Sequence, residues 1–303
     1  MSKYSKRSAV VCIAPVVFVI LWSTGFVGTR FVIPYADPIT FTALRFAIVC
    51  TLLTAFVIVS RRQLPRSWNM WLHLAVSGVL IHAFFVGGMF VAIYLGVNIS
   101  IAALIAGTQP LLTAIVAIPF LGEALSRRQW IGFVIGFLGL SMVVMKSLEV
   151  GDLPLSGFSG AVIALCGITF GTLYQKRYVV GVDLLSGSAI QFFFALSPCL
   201  IWAFAFETRT IEWNLTVILT LLWMCLALSI GAISILLFLI REGAASRVSS
   251  LFYLVPPVTA LQGYWLFDDR LSSIQIIGIA LAALGVALIN VQHRELKKTN
   301  NAC

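Results

Sequence analysis

Apolar residues in this chain neither alternate nor keep to one helical face; they run on. Ten stretches are apolar almost all round: residues 9–27, 38–60, 71–95, 98–121, 130–145, 157–174, 184–206, 215–240, 244–267 and 272–291. Polar residues crowd into the short segments between them. A helix that is hydrophobic on every side is buried on every side. About 20 such residues, rising 1.5 Å each, cross the roughly 30 Å of hydrocarbon in a bilayer. The pattern therefore predicts ten transmembrane spans. Each should be helical, because lipid offers no partner to an unpaired backbone group. The first run follows a short basic head, residues 1–8. It is too long for a signal-peptide core, and no small-residue cleavage site follows it, so it reads as a span.

Composition agrees. The chain is 60% apolar and 10% charged, with a mean hydropathy of +1.03. A soluble domain carries about 25% charged residues. The net charge of +9 does not indicate nucleic acid, because the basic residues sit in short loops between apolar runs. The six cysteines are scattered and form no CxxC pair. That spacing predicts neither a disulfide framework nor a metal site.

The loop charges set an orientation. With the N-terminus inside, the inside segments hold 15 of the 20 basic residues, as the positive-inside rule requires. Ten spans then leave both termini cytoplasmic.

One stretch occurs twice. Residues 110–140 and 256–286 superpose at a constant offset of 146, with 10 identities in 31 positions. The identities include Pro110 with Pro256, Thr113 with Thr259, Ser126 with Ser272, Gln129 with Gln275, Gly132 with Gly278 and Gly139 with Gly285. The same offset pairs Gly25 with Gly171, Asp37 with Asp183 and Phe46 with Phe192. The period is half the chain, so this is a duplication. The expected domains are residues 1–147 and 148–303, of five spans each. An odd number of spans places the second copy upside down. The expected fold is all-α integral membrane, with ten transmembrane helices in two inverted five-helix repeats. Inverted halves can exchange conformations, opening a central site to one face and then to the other.

The two copies resemble the paired EamA domains of the drug/metabolite transporter superfamily. The resemblance rests on Pro110, Gly122-Glu123 and Gly132 in the first copy, on Pro256, Asp269 and Gly278 in the second, and on Leu44-Arg45-Phe46 early in span two. The second copy departs from the pattern, with Asp268-Asp269 in place of Gly-Glu. The resemblance implies peripheral fifth and tenth spans, a cavity lined mainly by the others, and export of small metabolites, amino acids or drugs. It implies a multi-pass protein of the cell's inner membrane. The alternative class is a membrane-embedded enzyme or channel on a duplicated scaffold. An enzyme would need convergent acid, base or metal residues in mid-span, and the sequence offers none, so no catalytic residue and no cofactor are expected.

The candidate substrate-binding residues are His82, Gln109, Tyr253, Arg45 and Trp22. His82 lies about 16 Å along its helix from Trp71, near the bilayer midplane, where inverted-repeat transporters place their sites. Gln109 and Tyr253 flank the prolines at similar depth. Arg45 is an intramembrane charge and so a functional candidate by default. Its expected alternatives are snorkelling outward or pairing with Asp37 or Asp269. Pro110, Pro256 and Pro257 are expected to kink their spans and to strip partners from the carbonyls of Ala106, Phe252 and Tyr253. Gly132, Gly136 and Gly139, with Gly278 and Gly285, form small-residue faces for helix packing. His73 and His82, nine residues apart, point to opposite faces and cannot share a metal. The expected partners are a small-molecule substrate and the lipid bilayer, with protons the candidate coupling ion, a homodimer the candidate assembly, and no nucleic acid.

Overall fold

The structure is a computed structural model, described for residues 3–121, 126–149, 154–232, 235 and 252–300. Glu123, Asp152, Arg241 and Arg247 lie outside the described residues, as do the start of the ninth apolar run and the end of the eighth. The chain is helical: α1 Lys3–Val32, α2 Pro38–Val59, α3 Trp68–Tyr94, α4 Ile99–Gly107, α5 Gln109–Leu121, α6 Arg127–Glu149, α7 Leu155–Tyr178, α8 Leu184–Phe206, α9 Leu215–Ala232, α10 Val255–Phe267 and α11 Ser273–Asn300. Seven helices among the described residues are long and apolar enough to cross a membrane. The fourth expected run is not one helix but two, α4 and α5. A window from Ile99 to Thr113 and another from Ser273 to Leu288 are apolar but shorter.

Helix starts follow local chemistry. Asn98 caps α4 by accepting from the Ser100 amide at 2.8 Å, and Asp183 caps α8 at Ser186. The duplicated Ser-x-x-Gln is a capping box in both copies. The amide of Ser126 donates to Gln129 Oε1 at 2.8 Å, and that of Ser272 donates to Gln275 Oε1 at 2.8 Å. The Gln amides donate back to the serine hydroxyls at 3.3 Å. Each box satisfies donors that a helix start leaves orphaned.

The helices form two compact units. The first comprises Met1–Gly28, Asn98–Leu153 and Leu226–Cys303; the second comprises Thr29–Val97 and Pro154–Cys225. In the first unit α6 and α11 run antiparallel. A Cβ on Gly139 would lie 2.5 Å from the Ala282 amide and from the Gly278 carbonyl oxygen. A Cβ on Gly285 would lie 2.5 Å from the Gly132 carbonyl oxygen. Backbones this close admit hydrogen and nothing larger. The outer side of α6, with Trp130, Ile131, Val134 and Phe137 exposed, fits a lipid contact. The helices α4 and α10 are also antiparallel, with Gly107 against Pro256 and Gly263 against Ser100.

The second unit is built on α2 and α8, antiparallel around Phe41, Phe46, Val49, Phe192 and Ala195. Glycines again set the approach of the flanking helices. A Cβ on Gly167 of α7 would come 2.8 Å from the Leu80 carbonyl oxygen, and one on Gly78 of α3 would come 2.5 Å from that of Gln191. At one end of α2 the Glu207 carboxylate accepts from the amides of Ile39 and Thr40, at 2.9 and 2.7 Å, and from the Thr40 hydroxyl at 2.7 Å.

Candidate functional site

In the first unit, two helices restart in mid-run at matching places. α4 stops at Gly107. The amide of Thr108 then donates to the Leu104 and Ile105 carbonyls at 3.1 Å, and its hydroxyl donates to Ile105 O at 2.6 Å. α5 begins at Gln109, with Pro110 second. α10 begins at Val255, after a tight turn over Phe252–Leu254, with Pro256 and Pro257 next. Gln109 and Val255 are 146 apart, so a helix begins at the same point in both copies. In the first copy the expected kink at Pro110 takes the form of a one-residue interruption at Thr108, and in the second the residues just before Phe252 lie outside the described residues. Proline is tolerated in a first helical turn, where its missing N–H is not needed, so the chain stops and restarts.

The two breaks touch. A Cβ on Gly107 would lie 2.8 Å from Pro256 Cγ. Trp22 stands at the same place. Its ring meets Phe252 edge-on at 5.2 Å and Phe18 at 5.5 Å. The next residue, Ser23, donates to Val19 O at 2.8 Å and to Val255 O at 3.4 Å. Gln109 is half-buried at the start of α5. Tyr253 lies in the turn before α10, and its side chain is outside the described residues. Four residues past each restart, Thr113 and Thr259 carry buried hydroxyls with no hydrogen-bond partner in the structure. Their identity across the copies was the signal in the sequence that could have placed them here.

In the second unit, Arg45 and His82 come together. Arg45 is 7% exposed, so it does not snorkel. Its guanidinium lies 4.0 Å from Met224 Sδ, and its carbonyl receives the Cys225 thiol at 3.9 Å. Asp37 is not its partner. That carboxylate takes the Thr208 hydroxyl at 2.7 Å and the Thr210 amide at 3.0 Å. Asp269, the other acid considered, belongs to the first unit. His82 stacks on Phe192, with 4.1 Å between centroids, and meets Phe46 at 6.0 Å. Arg45 and Gln191 are both within its electrostatic reach. Gln191 also donates to Ser77 Oγ at 2.9 Å and to Gln175 Oε1 at 3.2 Å. His73 serves elsewhere, bonded to the Tyr174 hydroxyl at 2.8 Å.

His82 sits in a widened, π-helical stretch of α3, Val79–Gly87, and α9 has a matching one at Trp223–Ala232. Such wide turns are rare and recur at functional sites. The offset of 146 carries one stretch almost onto the other. In the first unit, the glycines Gly132, Gly136, Gly139, Gly278 and Gly285 all lie along the α6–α11 contact or at its edge.

A family model described as the EamA-like transporter family matches residues 9–145 and again 155–291. The inner membrane transporter YedA of Escherichia coli (strain K12) is 28% identical, over 90% of this chain and 88% of that protein. A protein named "Probable amino-acid metabolite efflux pump", also of Escherichia coli, is 25% identical over 90% of this chain and 92% of its own length. The transporter YvbV of Bacillus subtilis is 25% identical, over 92% and 91%. One solved crystal structure, 19% identical, superposes with a TM-score of 0.62 over 95% of this chain and 99% of its own. At that identity the likeness concerns the fold alone.

Proposed function

The chain belongs to the EamA-like transporter family, and from that premise we propose that it is an alternating-access secondary transporter of the inner membrane, exporting small organic solutes of the amino-acid or metabolite class. The observation that carries the reading is the contact between the two helix breaks at Gly107 and Pro256. Broken helices that meet in mid-membrane are where inverted-repeat transporters place their solute. The name of the efflux-pump relative supports the solute class.

The repeats, residues 1–147 and 148–303, are inverted in this reading, with ten spans and both termini cytoplasmic. The antiparallel pairing of α2 with α8 and of α6 with α11 supports it, since the members of each pair occupy equivalent places in the two copies. Trp22, Gln109 and Tyr253 contact the solute beside the breaks, with Pro110, Pro256 and Pro257 as hinges. His82 and Arg45 are the polar contacts of the second unit, and His82 is the candidate proton carrier. The glycines hold α6 to α11, and a homodimer is the proposed assembly.

The test is counterflow in proteoliposomes over a panel of amino acids and cationic drugs. Saturable exchange of at least one solute supports a carrier. Uninterrupted ion conduction and no exchange would indicate a channel. Reporter fusions after Asn98 and Asp152 should read outside, and fusions after Arg62 and Arg294 inside. Termini on opposite faces would overturn the inverted repeat.

A further inference from the structure

In the second unit a chain of hydrogen bonds fixes which way one amide faces. The Ser77 hydroxyl of α3 donates to backbone carbonyls one turn back, to His73 at 2.9 Å and to Leu74 at 3.1 Å. A hydroxyl carries one proton, so toward any further group Ser77 Oγ can only accept. It accepts from Gln191 Nε2 of α8 at 2.9 Å, and the same nitrogen donates to Gln175 Oε1 of α7 at 3.2 Å. Both amide hydrogens are thereby used. Turned over, the amide would set its oxygen against Ser77 Oγ, acceptor against acceptor, so its orientation is determined. What Gln191 has left is its carbonyl oxygen. The residue is 6% exposed, and the approach that brings it to Ser77 is close: a Cβ on Gly78 would lie 2.6 Å from Gln191 Cα.

His82 lies within electrostatic reach of Gln191. Its ring is stacked on Phe192, 4.1 Å between centroids and 21° between planes, which hinders it from turning over. An acceptor beside a neutral imidazole keeps the proton on the nitrogen that faces it, and the other nitrogen then carries a lone pair. Among the described residues, that second nitrogen forms no hydrogen bond. The repeat separates packing from function here. At the offset of 146, Gln191 matches Arg45, Ser77 matches Trp223, Gly78 matches Met224, Gln175 matches Thr29 and His82 matches Leu228. The equivalent contact, of α2 with α9, sets Arg45 against Met224 Sδ. The same helix pairing is therefore made without the Ser–Gln–Gln chain, and the copy that has the chain is the copy that has the histidine.

We propose that Gln191 is a positioning residue for His82. Aimed by Ser77 and Gln175, its carbonyl oxygen holds the N–H of one ring nitrogen, and the other nitrogen is presented as a lone pair to an amine or ammonium group of the solute. The inference rests on the reading of His82 as a solute contact, and it assigns the polarity of that contact. His82 accepts from the solute and does not donate to it, so an amino group fits there and a carboxylate does not.

The first arm of the test needs no substrate. Nitrogen NMR of the purified full chain, labelled in its histidine rings and assigned with His82→Phe, reads the tautomer of His82 at neutral pH. The wild type should show one protonated and one bare ring nitrogen, in a single fixed tautomer. Gln191→Met keeps the length of the side chain but removes the acceptor, and the two ring signals should draw together as the tautomers exchange. Ser77→Ala, a smaller change, should do the same in lesser degree, and it decides the question where melting curves show Gln191→Met to be unfolded. The second arm is counterflow with the amino acid that the wild type exchanges. There Gln191→Met should raise the half-saturation concentration about fivefold and leave the maximal rate within about twofold. It should also narrow the preference for that amino acid over its analogue without the amino group. The proposal is overturned by a wild-type ring that averages its tautomers or carries both protons, by a tautomer that stays fixed in both variants, by unchanged kinetics in Gln191→Met, or by exchange confined to solutes without an N–H donor. Wild-type kinetics in His82→Phe would instead remove the reading on which the proposal rests, and would leave the tautomer result standing.

Discussion

Phe46 and Phe192 occupy the same place in the two copies of the sequence, and in the folded chain they meet each other, 5.4 Å between ring centroids at 67°. His82 lies against both. Duplicated residues that touch mark the line about which α2 and α8 are related. The one titratable ring at that line has no duplicate, since the offset pairs His82 with Leu228.

His82 can therefore be tested for chemistry apart from packing. His82→Phe retains a flat ring on Phe192 and should keep thermal stability near wild type, while counterflow falls roughly tenfold or more. His82→Ala should lose transport as well. His82→Gln is expected to keep counterflow and to lose the pH response of gradient-driven flux. Wild-type kinetics in His82→Phe would remove the ring nitrogen atoms from the mechanism.

The glycine contact between α6 and α11 predicts an order of damage. A methyl on Gly285 meets the Gly132 and Gly136 backbone, whereas one on Gly136 meets the Leu111 side chain at 2.7 Å. A side chain can move aside, but a helix backbone cannot without parting the pair. Gly285→Ala should cost about 2–3 kcal/mol, and Gly136→Ala less. Gly136→Leu, which Leu111 cannot accommodate, should reduce the yield of folded protein. Melting curves in detergent will check the order; equal melting for both alanine variants would show that the contact yields.

Pro110→Ala restores the N–H that a continuous helix would place against the Ala106 carbonyl. The break should then partly heal, with an unchanged or higher melting temperature and slower exchange. Wild-type turnover in this variant would mean that the break is held by Thr108 and packing alone, and that the proline does not act as a hinge.

Glu207 holds three donors at the start of α2. Glu207→Gln keeps the shape but removes the charge that strengthens those bonds at a helix N-terminus. A loss of about 1–2 kcal/mol in stability is expected, read from chemical or thermal unfolding. No loss would show the clasp to be redundant with the paired loop at Asp37 and Thr210.

The membrane location, the helix-forming runs and the duplication could all be read from the sequence, because each rests on local composition or on identities at a fixed spacing. The places of the breaks were legible too, through Pro110 and Pro256, as were the capping boxes, through Ser126 with Gln129 and Ser272 with Gln275. Whether proline would bend a helix or end it was decided by the fold, because Thr108 closes α4 before the proline is reached. Tertiary structure alone also decided that Gly107 meets Pro256, that Arg45 is buried beside Met224 and not paired with Asp37, and that Gln191 meets Ser77 and Gln175. In a span that is apolar on every side, periodicity does not distinguish the face that meets lipid from the face that meets protein. Which polar atoms converge then depends on how closely glycines let distant helices approach, and that is a property of packed pairs far apart in the chain, not of any one stretch.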